Sequence, residues 1–104
     1  MVVARFDELI HPSTRLSIVA LLASADWIDF AYVRDRVGLS DSALSKQLAT
    51  LEAAGYVTLD RRTVDGRRRM RVSLTEEGRR AFDAHVAALR EVIGTAERLD
   101  PEPA

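Results

Sequence analysis

The stretch Val57-Thr58-Leu59-Asp60-Arg61-Arg62-Thr63-Val64-Asp65-Gly66-Arg67-Arg68-Arg69-Met70-Arg71-Val72-Ser73-Leu74 decides the fold. Val57 to Arg62 and Arg69 to Leu74 alternate in the period of a strand with one buried face. Between them Asp65-Gly66 signals a two-residue hairpin turn, which needs residues that tolerate positive φ. A turn there pairs Val57 with Leu74, Leu59 with Val72 and Arg61 with Met70, so the apolar side chains of both strands share one face. On the other face Asp60 meets Arg71, a favourable pair. Arg62 meets Arg69, an unfavourable pair unless something negative lies between them. From Arg61 to Arg71 there are six arginines (61, 62, 67, 68, 69 and 71) against one acid, Asp65, in a chain whose formal net charge is -1. A nearly neutral chain that concentrates its positive charge in this way implies a polyanionic partner for that block.

Helices flank the hairpin on both sides. Upstream, Asp29 caps a helix through Val37 with Phe30, Val33 and Val37 facing inward, and Gly38 ends it in the left-handed conformation. Ser40 caps the next helix, with Asp41 in its first turn, and that helix runs to about Ala54 before Gly55. The tight Gly38-Leu39 turn makes the two a helix-turn-helix. Ahead of them Trp27-Ile28 is a short extended stretch, with Trp27 packing at a sheet edge. Earlier still, Pro12 or Ser13 opens a central helix capped by Ser13 or Thr14. Its inward face is Leu16, Val19, Ala20 and Ala23, widened by Ile18, Leu21 and Leu22. Val2 to Ile10 reads as a short amphipathic helix that His11-Pro12 breaks. Downstream, Thr75 caps a final helix with Glu76 and Glu77 in its first turn. Phe82, Val86, Leu89, Ile93 and Ala96 follow on one stripe, widened by His85, Val92 and Leu99, a seam of the coiled-coil kind. Such a helix outruns the core of so small a domain, so its far half is expected to pack on a second subunit.

Length and composition remove several classes. At 104 residues the chain forms one domain, and 47% hydrophobic with 30% charged residues exclude a disordered polymer. With no cysteine there are no disulfides, thiolate metal sites or cysteine nucleophiles, which suits a cytoplasmic protein. The longest apolar run, Ile18 to Ala23, is too short for a membrane span, and the charged start at Arg5, Asp7 and Glu8 shows no signal peptide. All bases but Lys46 are arginines, a usage that suits a GC-rich bacterial genome. No nucleophile motif or glycine-rich phosphate loop points to an enzyme.

The order helix, helix, short strand, helix, helix, hairpin, long helix is that of a winged helix-turn-helix. The expected class is mainly α with a small β-hairpin wing (α+β). Residues 1–10 form an N-terminal dimer-contact helix, 11–75 the winged-helix core, 76–99 a C-terminal dimerisation helix and 100–104 a tail. Over residues 11 to 82 the chain resembles the MarR-like and ArsR-like winged-helix transcriptional regulators of bacteria and archaea. The resemblance is carried by His11-Pro12-Ser13-Thr14-Arg15-Leu16, by Phe30 to Leu39 with Ser40, by Leu44-Ser45-Lys46-Gln47-Leu48 with Leu51-Glu52-Ala53-Ala54-Gly55-Tyr56-Val57, by Asp65-Gly66-Arg67-Arg68, and by Leu74-Thr75-Glu76-Glu77-Gly78.

The resemblance implies a dimeric DNA-binding transcriptional regulator, a repressor, whose partner is double-stranded DNA with an inverted repeat. In the Ser40–Ala54 helix, Leu44, Leu48 and Leu51 lie within about 60° of each other. Ser42, Ser45, Lys46, Gln47 and Thr50 are then the candidates for base contacts in the major groove, where Ala49 and Ala53 permit close approach. Arg62, Arg69 and Arg71 suit phosphates, and Arg67 and Arg68 at the turn suit a narrow minor groove. Tyr32 and Arg34 are candidate backbone contacts, with Arg34 equally suited to an intramolecular ion pair; Arg15 pairs within the fold. Phe6, Ile10, His85, Val86, Leu89, Val92, Ile93 and Ala96 are the candidate dimer contacts. No cofactor and no metal are expected: Asp83-Ala84-His85 resembles half of an ArsR-like metal pattern, but Ala96 and Leu99 cannot ligate. MarR-like proteins often bind aromatic acids, and the sequence names no effector for this chain. The alternative function is a winged helix used as a protein-interaction module; the basic wing favours DNA.

Overall fold

In a computed structural model of the chain, residues 9–10 and 12–98 are described. They form α1 (Ser13–Leu22), β1 (Ile28–Asp29), α2 (Phe30–Val37), α3 (Asp41–Ala53), β2 (Val57–Val64), β3 (Arg67–Leu74) and α4 (Glu76–Arg98). The helix expected over Val2–Ile10 falls outside the described residues except for its last two, Leu9 and Ile10, which lie in a turn. Phe6, His11, Leu99 and the tail also lie outside them.

Asp65 and Gly66 have φ of 51° and 75°, the pair of positive values that a two-residue type I′ turn requires. The register follows: Val57 pairs with Leu74, Leu59 with Val72, Asp60 with Arg71, Arg61 with Met70 and Arg62 with Arg69. Each strand runs two residues further toward the turn than the alternation indicates, through Thr63–Arg68 and Val64–Arg67. Those residues are exposed, so no apolar pattern marks them. The short stretch β1 joins the free edge of β3, giving the order β1-β3-β2 with Ile28 opposite Val72.

Helices supply most of the core that this sheet closes. Leu44, Leu48 and Leu51 of α3 are fully buried, as are Val33 of α2 and Val72 of β3. Burying each leucine contributes about 1.5–3 kcal/mol. In α1 the buried residues are Ile18, Val19 and Leu22, while Ala20 is exposed. The inward face is therefore rotated from the expected Leu16-Val19-Ala20-Ala23 stripe, because the larger side chains of the apolar run Ile18–Leu22 take the interior. Neither Ser13 nor Thr14 caps α1. Pro12 holds the cap position with no side-chain bond, and its carbonyl accepts from the Leu16 N–H at 2.9 Å.

Two junctions set the angles between elements. At the first, Gly38 adopts φ 72°, and the N–H groups of Gly38 and Leu39 both donate to the Arg34 carbonyl, at 2.9 and 3.1 Å. Ser40 Oγ then accepts from the Ala43 N–H at 3.1 Å and starts α3. At the second, the Thr75 N–H donates to the Tyr56 carbonyl at 2.9 Å, and Thr75 Oγ1 donates to the Gly55 carbonyl at 2.6 Å while accepting from the Gly78 N–H at 2.9 Å. One threonine thus caps α4 and ties it to the end of α3. Gly78 is buried against the same carbonyl: a Cβ there would stand 2.2 Å from Tyr56 O.

Gly78, His85 and Ala88 are the buried positions of α4, and Phe82 packs beside them against the core. Ile10 and His85 are fully buried within the chain. Beyond Ala88 the helix leaves the core, and Val92 and Ile93 are 55% and 56% exposed. No helix among the described residues is long and apolar enough to cross a membrane. Gly78→Ala is expected to destabilise the fold by about 1–3 kcal/mol, the cost of overpacking, read as a lower melting temperature. A Glu77→Ala control, at an exposed neighbour, is expected to change it much less.

Candidate nucleic-acid interface

The solvent face of α3 carries Ser42, Ser45, Lys46, Ala49, Thr50 and Ala53, all exposed, opposite the buried leucines. Lys46 has its ammonium in solvent with no ion pair among the described residues. Thr50 Oγ1 donates to the Lys46 carbonyl at 3.2 Å, which spends its proton on the helix and leaves its oxygen as an acceptor. Ser42 Oγ lies 3.4 Å from Ser40 Oγ. Gln47 is half-buried, and its Oε1 accepts from Arg15 Nη1 at 3.2 Å. Arg15 also donates from Nε to the Leu9 carbonyl, so it pairs within the fold as expected. Gln47 is thereby engaged in fixing α3 to α1.

Arg34 is likewise an intramolecular residue. Its Nε donates to Asp35 Oδ1 at 2.9 Å and its Nη1 to Asp41 Oδ1 at 2.8 Å. Asp35 first, and Asp41 after it, raise the guanidinium pKa further above its ordinary value. The contact to Asp41 clamps α2 onto the first turn of α3. Tyr32 is 51% exposed, with the Arg36 guanidinium 5.9 Å from its ring centroid.

The six wing arginines divide into three kinds. Arg62 donates to Asp60 Oδ2 at 2.6 Å, and Arg69 Nη1 lies 3.7 Å from Asp29 Oδ2. The repulsion expected between Arg62 and Arg69 is therefore answered inside the protein, by two acids on the same face. Asp29 holds the N-cap position of α2, but its carboxylate makes no capping bond because it turns to Arg69. Arg71 is the second kind. Asp60 is its partner in register, yet its guanidinium stacks 3.7 Å from the centre of the Trp27 ring. Trp27 is 44% exposed, a platform for that cation more than a packed sheet edge. Arg61, Arg67 and Arg68 are the third kind: all are exposed and make no ion pair among the described residues.

These three line an open groove of about 690 Å³ between the wing and α2, together with Arg62, Arg69 and a single acid, Asp29. Arg61 is the lining arginine that the sequence-based candidate set does not include, since its register opposite Met70 places it on the apolar face. The signal available was its position past Leu59, where the hairpin has already left the core.

Residues 14–93 match the family described as the winged helix DNA-binding domain. The chain belongs to this family. It is 28% identical over 79 residues to an uncharacterized protein of Methanocaldococcus jannaschii, covering 76% of this chain and 86% of that one. In fold it is similar to the transcriptional regulator homologue protein of Pyrococcus horikoshii, with a TM-score of 0.81 at 22% identity over 86% of this chain and 89% of that one. It is also similar to a MarR-family transcriptional regulator of Rhodococcus, with a TM-score of 0.69 at 25% identity over 91% of this chain and 69% of the other.

In this winged helix the Trp27–Arg71 stack is also an optical handle, because Trp27 is the single tryptophan. Arg71→Ala is expected to move its emission toward longer wavelength as the ring gains solvent. The same change should cost about 0.5–1 kcal/mol of stability, the size of an exposed cation–π contact. An unchanged spectrum would mean that the guanidinium does not occupy the ring face in solution.

Proposed function

We propose that this winged helix is a sequence-specific dimeric transcriptional regulator. It sets α3 in the major groove of an inverted-repeat operator and lays its wing on adjacent phosphates and minor groove. The observation that carries this reading is the wing groove, where Arg61, Arg62, Arg67, Arg68 and Arg69 meet one acid, Asp29, and Arg61, Arg67 and Arg68 have no ion pair among the described residues. Such a cluster is favourable when phosphates neutralise it, and phosphate contacts hold the protein in register while α3 reads bases. On α3 the proposed reading residues are Ser42, Ser45, Lys46 and Thr50, with Gln47 at the rim. Arg62, Arg69 and Arg71 on the outer face of the wing are proposed as further phosphate contacts, and Tyr32 on α2 as a backbone contact.

The dimer is proposed along α4. Val86 and Leu89 are half-buried, and Val92, Ile93 and Ala96 stand exposed on the half of α4 that leaves the core. A second copy packed on that stripe removes the apolar surface from water and supplies the two-fold axis that an inverted repeat mirrors, with half-sites about one helical turn apart. A protein whose assigned parts are a DNA-reading domain and a dimer helix acts by occupying its site, so the sign we assign is repression. The cytoplasm is the compartment this role requires.

The deciding experiment is a salt titration of wild type against Arg67→Ala/Arg68→Ala on one duplex. With roughly four phosphates neutralised per protomer, the slope of log affinity against log salt is expected near −7 for the dimer, and the variant should flatten it by about 3–4. Equal slopes would take the wing off the DNA. For the assembly, Leu89→Glu places a charge in the proposed seam. Sedimentation is expected to show dimers for wild type and monomers for the variant at micromolar concentration, while a monomeric wild type would overturn the dimer.

A further inference from the structure

The outer face of the wing sheet is ordered in two rows. Across the three strands, Asp29 of β1, Arg71 of β3 and Asp60 of β2 stand side by side, and the next row toward the tip holds Arg69 opposite Arg62. Arg71 lies between two carboxylates in register but stacks on Trp27 instead, 3.7 Å from its ring centroid. Each carboxylate is thereby left for the arginine of the next row, Asp60 for Arg62 at 2.6 Å and Asp29 for Arg69 at 3.7 Å. Asp29 does this from a position where its side chain would ordinarily cap α2, and it makes no capping bond. All four side chains remain open to solvent, between 34% and 51% exposed. They are therefore accessible to a competing anion.

We propose that Asp60 and Asp29 are built-in competitors of DNA phosphate, holding Arg62 and Arg69 back so that the wing engages DNA mainly through Arg61, Arg67 and Arg68. The proposal rests on the DNA-binding reading above. A phosphate approaching Arg62 or Arg69 meets a carboxylate already seated on the guanidinium. It must displace that carboxylate or accept a neutralised contact, and either lowers the number of counterions released from the duplex. Trp27 takes part indirectly: by keeping Arg71 on its ring, it leaves the acids free for the two arginines. The consequence is a weaker sequence-independent grip than six arginines would give.

The test measures binding of the whole protein to a labelled mixed-sequence duplex by fluorescence anisotropy across a salt series. Asp60→Asn and Asp29→Asn remove one charge each while keeping the shape, and asparagine is as good a residue as aspartate at the N-cap of α2. Each single variant is expected to bind roughly three- to tenfold tighter near 0.1 M salt and to steepen the slope by about 0.9 per released arginine. The double variant should gain about twice as much on the logarithmic scale. Adding Arg62→Gln to Asp60→Asn should abolish the gain of the latter. Unchanged or weaker binding by Asp60→Asn, with wild type binding normally, would overturn the proposal and make the carboxylate a support that aims Arg62 at DNA. A wild type that binds no duplex at any salt would overturn the DNA-binding reading itself, and this proposal with it.

Discussion

The register of β3 is the constraint on which the rest of the structure depends. Val72 is fully buried and lies between Ile28 on one side and Leu59 on the other, the point where the sheet closes the helical core. The positive φ values of Asp65 and Gly66 fix that register by fixing the turn. A slip of one residue would reverse the faces, turning Val72 to solvent and Arg71 or Arg69 inward. Burying an unpaired guanidinium costs far more than a hairpin gains, so the core and the arginine row enforce the same alignment from opposite faces. The same register puts Tyr56 and Thr75 together at the base of the hairpin, where α4 begins.

Charge on the wing is distributed by geometry as much as by composition. A count of arginines overstates the free positive charge, because the strand period carries Asp60 to the face of Arg62, and the β1 pairing carries Asp29 to the face of Arg69. Solvent-exposed ion pairs of this sort contribute little to stability. Their larger effect is on the field that the surface presents, since Asp60 and Asp29 offset two of the arginines on the outer face. The apolar inner face near the base of the hairpin closes the core, while the arginines lie on its outer face and toward its end.

Sequence alone made the backbone legible and the side-chain partnerships much less so. Hairpin register, the Gly38 turn, the Ser40 and Thr75 caps and the leucine face of α3 all follow from local rules, since each is set by a few neighbouring residues. The inward face of α1 did not, because an apolar helix carries little moment and packing against α2 and β3 decides its rotation. Partnerships across elements were hidden for the same reason. Nothing near Arg15 in the chain points to Gln47, and nothing near Arg71 favours Trp27 over the acid directly across the ladder. Along α4 the apolar stripe mixed two environments: His85 faces the chain's own core, while Val92, at nearly the same helical phase, and Ile93 beside it lie past the end of that core.

The placement of α3 shows how these levels meet. Its leucines provide most of the holding energy, about 1.5–3 kcal/mol each, but a greasy face alone leaves rotation and tilt loosely set. Polar contacts at two points remove that freedom: Arg34 reaches Asp41 at the first turn, and Arg15 reaches Gln47 near the middle. Both use side chains whose planar heads would otherwise suit bidentate recognition of a base or a phosphate. Orientation has therefore been given priority over reading capacity on this helix. What remains outward on its N-terminal half is one flexible cation, Lys46, among hydroxyls and alanines. The two internal ties therefore fix the tilt and rotation at which that outward surface is presented.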